Sequence, residues 1–333
     1  MQTIPNAKFY ENLPVLILGA SGFIGRWIAR YLSGTRCSLF LVVRDSRRSR
    51  KIFNEYTVNG ELIEIDLTNF SDVTSTIKNI KPSIIFNLAG YGVDPSERDP
   101  EQARLMNADL VRVLCENLRV FSEPKLENLQ LIHIGSALEY GTIGGNLSED
   151  SIPHPTTLYG QTKLTGTETV KTYGQKYGVR GITARLFTVY GPGEHPQRLL
   201  PTLIEAARNQ HPIPLTEGFQ KRDFTYVEDV AEGLIRLSVC NAPPGQIVNL
   251  ATGKLTTVRE FVKIAADVLN IQDNFLQFGA LPTRKEEMNH DDVSIDQLKQ
   301  FTGWTPPTSI REGIQRTIAF FNKRGSLHQK NFL

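Results

Sequence analysis

The sequence Val15-Leu16-Ile17-Leu18-Gly19-Ala20-Ser21-Gly22-Phe23-Ile24-Gly25 constrains the chain most. An apolar run of strand length stops at a glycine, and two more glycines follow at intervals of three. Such a turn lets backbone approach backbone, and the helix that opens near Phe23 points its positive end at whatever lies beyond the strand. An anionic pyrophosphate suits that place. The spacing is Gly-x-x-Gly-x-x-Gly, not the common Gly-x-Gly-x-x-Gly. A tight strand–helix turn with no ligand is the bland alternative. Gly19, Ser21, Gly22, Phe23, Ile24 and Gly25 are therefore expected to bind a dinucleotide.

Further apolar runs alternate with helical patterns. They are Ser38–Val43, Leu62–Ile65, Ser83–Asn87, Leu129–Ile134 and Gly181–Arg185. Short apolar strands separated by helices predict an α/β fold, a doubly wound parallel sheet of Rossmann type. Ligands of such sheets lie beyond the carboxyl ends of the strands. That edge would carry Gly19, Arg44, Asp66, Leu67, Leu88, Ala89, Gly90 and Ser136. From Tyr190 onward prolines and glycines change the texture. A dinucleotide-binding domain over 12–188, rejoined by 224–251, and a smaller α/β substrate domain over 189–223 and 252–325 are expected. Residues 1–11 and 326–333 are expected to be flexible ends.

Of the 333 residues, 37 are Lys or Arg and 35 are Asp or Glu, a net charge of +2. This balance argues against nucleic-acid binding. No apolar run approaches a membrane span, and the first residues lack an apolar signal core. Cys37, Cys115 and Cys240 are scattered and form neither a metal-ligand spacing nor a disulfide framework. A cytoplasmic protein with no metal, membrane or nucleic-acid partner is expected.

The second strand ends Val43-Arg44-Asp45. An arginine there suits the 2′-phosphate of NADP, whereas an acidic residue holds the free 2′-hydroxyl of NAD. Arg44 favours NADP, with Asp45 leaving NAD as the alternative. Asp66, ending the third strand, is placed either for the adenine edge or as a turn cap.

Tyr159 and Lys163 stand four apart and share one helical face. Ser136 lies 23 residues earlier, at a strand end. A phenol titrates near 10. Making it a base at neutral pH takes a shift of about 3 units, about 4 kcal/mol, and a neighbouring ammonium favours the phenolate. Ser136 would orient a substrate oxygen, Tyr159 would carry its proton, and Lys163 would hold a ribose. Singly, each residue is more often structural. Together on this edge they form a candidate catalytic set for hydride transfer at a carbon bearing oxygen.

With Asn87-Leu88-Ala89-Gly90, Asn107, Ser136–Gly141, Arg185–Gly193, Arg222-Asp223-Phe224, Arg284 and Glu287, these elements resemble the extended short-chain dehydrogenase/reductase family, from Val15 to about Gly303. The likeness is to its nucleotide-sugar epimerases, dehydratases and 4-keto reductases. It implies that Leu88, Ala89, Gly90, Asn107 and Leu186 line the cofactor. Thr188, Leu199, Arg222, Arg284 and Glu287 would line a nucleotide diphosphate sugar, with the two arginines on the diphosphate. It also implies a homodimer through a four-helix bundle built from the helix around 101–121 and the Tyr-Lys helix. Two departures matter. The dehydratases carry acids just after the serine-equivalent position, where this chain has Ala137 and Leu138; Glu139, one place on, is expected to point elsewhere. Thr188 replaces a frequent asparagine. The C-terminal segments Phe278–Met288 and Gly303–Pro306 resemble the 4-keto-6-deoxyhexose reductase branch, which includes abequose synthase. NADPH-dependent reduction of a nucleotide-linked 4-keto-6-deoxy sugar is the leading expectation. A C4 epimerase with retained NAD is the alternative, followed by a non-catalytic cofactor sensor.

Overall fold

A computed structural model describes residues 7–93, 96–121, 130–283 and 288–325. Its first half runs β1 (Pro14–Leu18), α1 (Gly25–Leu32), β2 (Ser38–Val43), α2 (Ser46–Tyr56), β3 (Glu61–Glu64), α3 (Phe70–Ile80), β4 (Ile84–Asn87), α4 (Pro100–Arg104), α5 (Leu110–Phe121), β5 (Gln130–Ser136), α6 (Leu158–Tyr177) and β6 (Gly181–Leu186). The second half runs β7 (Thr188–Tyr190), α7 (Leu199–Asn209), β8 (Ile213–Leu215), β9 (Lys221–Tyr226), α8 (Val227–Leu237), β10 (Gln246–Leu250), β11 (Leu255–Thr257), α9 (Val258–Leu269), β12 (Leu276–Phe278), α10 (Asp296–Thr302) and α11 (Ile310–Gly325).

Seven strands form one sheet in the order β3-β2-β1-β4-β5-β6-β10, and every pairing in it is parallel. Alternate residues feed two apolar layers. Val15, Ile17, Phe86, Ile132, Ala184 and Val248 face one layer, while Leu16, Leu18, Ile85 and Leu131 face the other. Burial on both faces is why the strands read as continuous apolar runs. Chain direction across the sheet reverses between β1 and β4, so a crevice opens at their carboxyl ends.

Several boundaries differ from the sequence reading. Helix α1 begins at Gly25, not near Phe23. The helix around 101–121 is interrupted by a π-turn at Leu105–Asp109. Residues 246–250 return to the large sheet, as expected for Ile247–Leu250. Phe224–Tyr226, within the segment expected to rejoin the first domain, pair outside that sheet. They lie in β9, which pairs with β7 and β11 in a separate three-stranded sheet. The chain leaves the large sheet after Leu186 and starts the small one at Thr188. The expected flexible N-terminal arm also fails for Ala7–Tyr10, which form a 3-10 turn. Tyr10 is fully buried, and its hydroxyl donates to Ile235 O at 3.0 Å. An aromatic ring with a polar tip is held where both an apolar pocket and an acceptor are supplied.

Candidate functional site

The glycine turn is a backbone cradle. Gly19 has φ +74°, and a Cβ there would lie 2.9 Å from Ala89 N, so the ends of β1 and β4 meet at Leu88-Ala89. A Cβ at Gly25 would lie 2.3 Å from Gly19 O. The first turn of α1 therefore rests on the turn's own backbone, and no larger residue fits. Arg26 fixes the outer side: its Nε donates to Gly22 O and its Nη2 to Ser21 O, both at 2.9 Å. A cradle that a Cβ would fill, opening onto a helix N-terminus, fits a dinucleotide pyrophosphate. Phe23 and Ile24 are half-buried between the turn and the core.

Arg44 is exposed at the carboxyl end of β2. Asp45 caps α2, accepting from Arg48 N at 2.8 Å. Asp66 closes a turn, its Oδ1 accepting from Thr68 N (2.9 Å) and Thr68 Oγ1 (2.8 Å). These bonds, with a smaller contribution from Arg44, hold its carboxyl below the ordinary range. Of the two sequence readings for Asp66, the turn cap is the one its contacts display. Leu67 is half-buried against the second apolar layer.

The loop after β4 crosses the site. Asn107, fully buried in the π-turn, accepts from Tyr91 N at 3.0 Å through Oδ1. Its Nδ2 donates to Tyr91 O (2.7 Å) and to Thr162 Oγ1 (3.0 Å) on α6. It therefore ties the Gly90-Tyr91 backbone to the tyrosine helix. Gly92, at φ +101°, passes so close that a Cβ would lie 3.3 Å from the Tyr159 ring. Its N–H donates to Glu97 Oε2 at 2.7 Å.

Ser136 ends β5, and Thr157 caps α6 by accepting from Gly160 N, which sets Tyr159 and Lys163 in the first two turns. Ser136 lies near enough to the Tyr159 hydroxyl to favour its ionised form. Ser136 Oγ also accepts from Leu138 N at 3.2 Å, capping the 3-10 turn Ala137–Glu139. Burial, then Glu139 and Glu97, raises the Tyr159 pKa, while Arg198 and Ser136 pull it down. Lys163 is buried, and burial pushes its ammonium down to about 8 against the attraction of Glu139. The sequence reading assigned the phenol's activation to Lys163 together with a bound nicotinamide. Among the groups of the chain, Arg198 and Ser136 favour the phenolate, against burial and the two carboxylates.

Glu139 turns into the core. Its Oε1 accepts from Ser136 N (2.8 Å) and Thr167 Oγ1 (3.0 Å), and its Oε2 from Arg185 Nε (2.8 Å). Both members of this ion pair are essentially unexposed, at 0% and 1%. The Arg185 guanidinium also lies over the Tyr140 ring at 4.5 Å, and the Tyr140 hydroxyl donates to Asn249 Oδ1 at 2.7 Å. Sequence reasoning gave Arg185 no role. The signal was an arginine inside the apolar strand Ile182–Leu186, because a charge in a buried strand requires a partner.

Leu186 ends β6 buried, and Thr188 starts β7 half-buried. Leu199 opens α7, next to Arg198, which pairs with Glu194 at 3.6 Å. Arg222 is half-buried, its Nη1 donating to Lys221 O (3.0 Å) and Met288 O (3.4 Å). Arg284 and Glu287 lie outside the described residues. Among the described residues no cluster of three or more His, Cys, Asp or Glu could hold a metal. Likewise, no helix there is long and apolar enough to cross a membrane.

Residues 15–251 match the NAD dependent epimerase/dehydratase family. The chain belongs to that family. It is 27% identical over 334 residues to the trifunctional UDP-glucose 4,6-dehydratase/UDP-4-keto-6-deoxy-D-glucose 3,5-epimerase/UDP-4-keto-L-rhamnose-reductase RHM3 of Arabidopsis thaliana. That match covers 94% of this chain but 48% of the plant protein, so the chain spans about half that relative's length. It is 24% identical over 314 residues to the dTDP-6-deoxy-L-talose 4-dehydrogenase (NAD(P)(+)) of Kitasatospora kifunensis, covering 90% and 93% of the two chains. Among solved structures it resembles MoeE5 in complex with UDP-glucuronic acid and NAD. The TM-score is 0.78 and the identity 26%, with 93% of this chain and 99% of that one covered.

Proposed function

We propose that this family member reduces a nucleotide-linked 4-keto-6-deoxy sugar at C4 with NADPH. The observation that carries this reading is the fate of the acids after Ser136. Ala137 and Leu138 cannot transfer a proton, and Glu139 is locked onto Arg185 and Thr167. The Tyr159 phenol stands beside Ser136, and burial favours its protonated form, a proton donor suited to a forming alkoxide. When bound, the nicotinamide supplies the hydride that goes to the carbonyl carbon. Tyr159 gives its proton to the carbonyl oxygen, Ser136 orients that oxygen, and Lys163 holds a ribose and returns positive charge beside the phenolate left behind. Solvent then reprotonates Tyr159.

NADP is favoured because Arg44 is exposed at the carboxyl end of β2 while Asp45 caps α2. The matched relatives support a nucleotide sugar as substrate: RHM3 and the talose dehydrogenase carry such reactions in their names, and MoeE5 binds one. Arg222, with Arg284 beyond the described residues, would take the diphosphate. Side-by-side packing of α5 and α6 supports a dimer built on that pair. The NAD bound to MoeE5 favours a second reading, a C4 epimerase that keeps its cofactor. Purified protein offered NADPH and a panel of nucleotide 4-keto-6-deoxyhexoses distinguishes them. Loss of NADPH with one of them is expected. NAD carried through purification, with interconversion of epimers and no net cofactor turnover, would replace the reductase reading by the epimerase.

A further inference from the structure

Behind Lys163 lies a row of buried polar side chains that the reaction does not use. Asn87, His133 and Thr183 sit on β4, β5 and β6, and the strand register sets Asn87 opposite His133 and His133 opposite Thr183. Directly paired residues leave the same face of a sheet, here the face covered by α6. All three are fully buried. Asn87 Nδ2 and His133 Nδ1 meet at 3.2 Å. Asn87 Oδ1, His133 Nε2 and Thr183 Oγ1 have no hydrogen-bonding partner among the described residues. Helix α6 closes over the row at Gly166, where a Cβ would lie 3.0 Å from His133 Nε2. Lys163 is one turn earlier, and its charge acts on His133.

A buried polar atom without a partner forfeits the hydrogen bonds it makes with water in the unfolded chain. Three in one cross-strand line are therefore a heavy burden where apolar residues would pack equally well. Interiors meet such groups with internal water, roughly one molecule per 27 residues, each held by two to four polar partners. We propose that this row is an internal water site, bound by Asn87 Oδ1, His133 Nε2 and Thr183 Oγ1, that hydrates the Lys163 ammonium from beneath. The three side chains are then positioning residues for Lys163. Other charged or titratable groups around the lysine are already engaged. Glu139, from the turn after β5, is paired with Arg185 of β6. On the far side, Tyr159 shares α6 and faces Glu97 of the loop after β4 and Arg198 before α7. His133 on β5 stays neutral, because burial and the lysine charge hold its pKa well below the usual value.

Thr183→Val tests this, since it keeps the shape and removes one partner. A wet row loses a water ligand, so Tm falls by about 2–4 °C. A dry row is relieved of an unpaired hydroxyl, so Tm stays or rises, and the proposal is overturned. The alkaline limb of kcat/KM, or of NADPH binding if no substrate has been found, should move down by about half a pH unit as Lys163 loses hydration. An unmoved limb would reduce the row to a structural role. A high-resolution crystal structure should show ordered water within hydrogen-bonding distance of at least two of the three atoms, and its absence there refutes the site. The melting and crystallographic readouts need no substrate, so they stand or fall separately from the reductase reading.

Discussion

Removing one member of the Glu139–Arg185 pair should damage the site more than any surface change of the same size. At 2.8 Å the attraction is about 6 kcal/mol with an effective dielectric of ~20. Most of it offsets the cost of taking both charges out of water. Glu139→Ala leaves the guanidinium buried and unpaired, for which the loss is about 3–5 kcal/mol. It also strips the acceptor from Ser136 N and Thr167 Oγ1. At roughly 2–3 °C per kcal/mol for a chain of this size, Tm should fall by about 6–15 °C. Arg185→Leu should do comparable harm, because it strands the carboxylate. The double variant Glu139→Leu/Arg185→Leu removes both charges and should recover about 2 kcal/mol or more relative to the sum of the single losses. The assay is thermal and denaturant unfolding of all four proteins. Additive losses, or single losses under about 1 kcal/mol, would refute the reasoning. The pair would then be dispensable, and the argument that Glu139 is withheld from chemistry would lose its basis.

Tyr159→Phe should lower kcat by about 10²–10⁴-fold, the usual contribution of a placed proton donor, while NADPH binding measured by fluorescence survives. Arg44→Ala should raise KM for NADPH by about 10–100-fold, the value of a charge-assisted bond to phosphate, and leave NADH use unchanged. Lys163 keeps its charge below a pKa of about 8 and loses it above, so kcat/KM measured against pH should decline on the alkaline side of that value. Glu194, with one oxygen buried and unpartnered, has its carboxyl pushed up by burial to about 7. A raised carboxyl pKa adds stability below the ordinary value of 4.5 that is lost as pH climbs through 7, worth about 3 kcal/mol. Glu194→Gln should remove that loss, so that Tm of the variant changes less between pH 5 and pH 8 than Tm of the parent.

The strands and the turn between Leu18 and Gly25 were readable because each is a local pattern: an apolar run of strand length, a glycine interval, a change of period. The Ser136, Tyr159, Lys163 set was readable for a related reason. Strand ends and a four-residue helical spacing place all three on one edge without any knowledge of packing. Boundaries were less secure. The π-turn at Leu105–Asp109 lies inside a continuous helical pattern, and nothing local distinguishes it. The pairing of Phe224–Tyr226 with β7 and β11 was not readable, because a short strand does not encode its partner.

From sequence alone came the parallel sheet, the glycine turn expected to hold a dinucleotide, the candidate catalytic edge and the absence of acids at Ala137 and Leu138. All of these follow from backbone geometry and residue type at fixed spacing. Tertiary structure alone decided where the charges stand. Glu139 and Arg185 are 46 residues apart yet neutralise one another in the core. Asp45 caps α2 through Arg48 N. Burial raises the Tyr159 pKa more than any single charge near it. Protonation depends on what surrounds a group in three dimensions, and solvent exclusion and distant partners are not written in the local pattern that folds the chain.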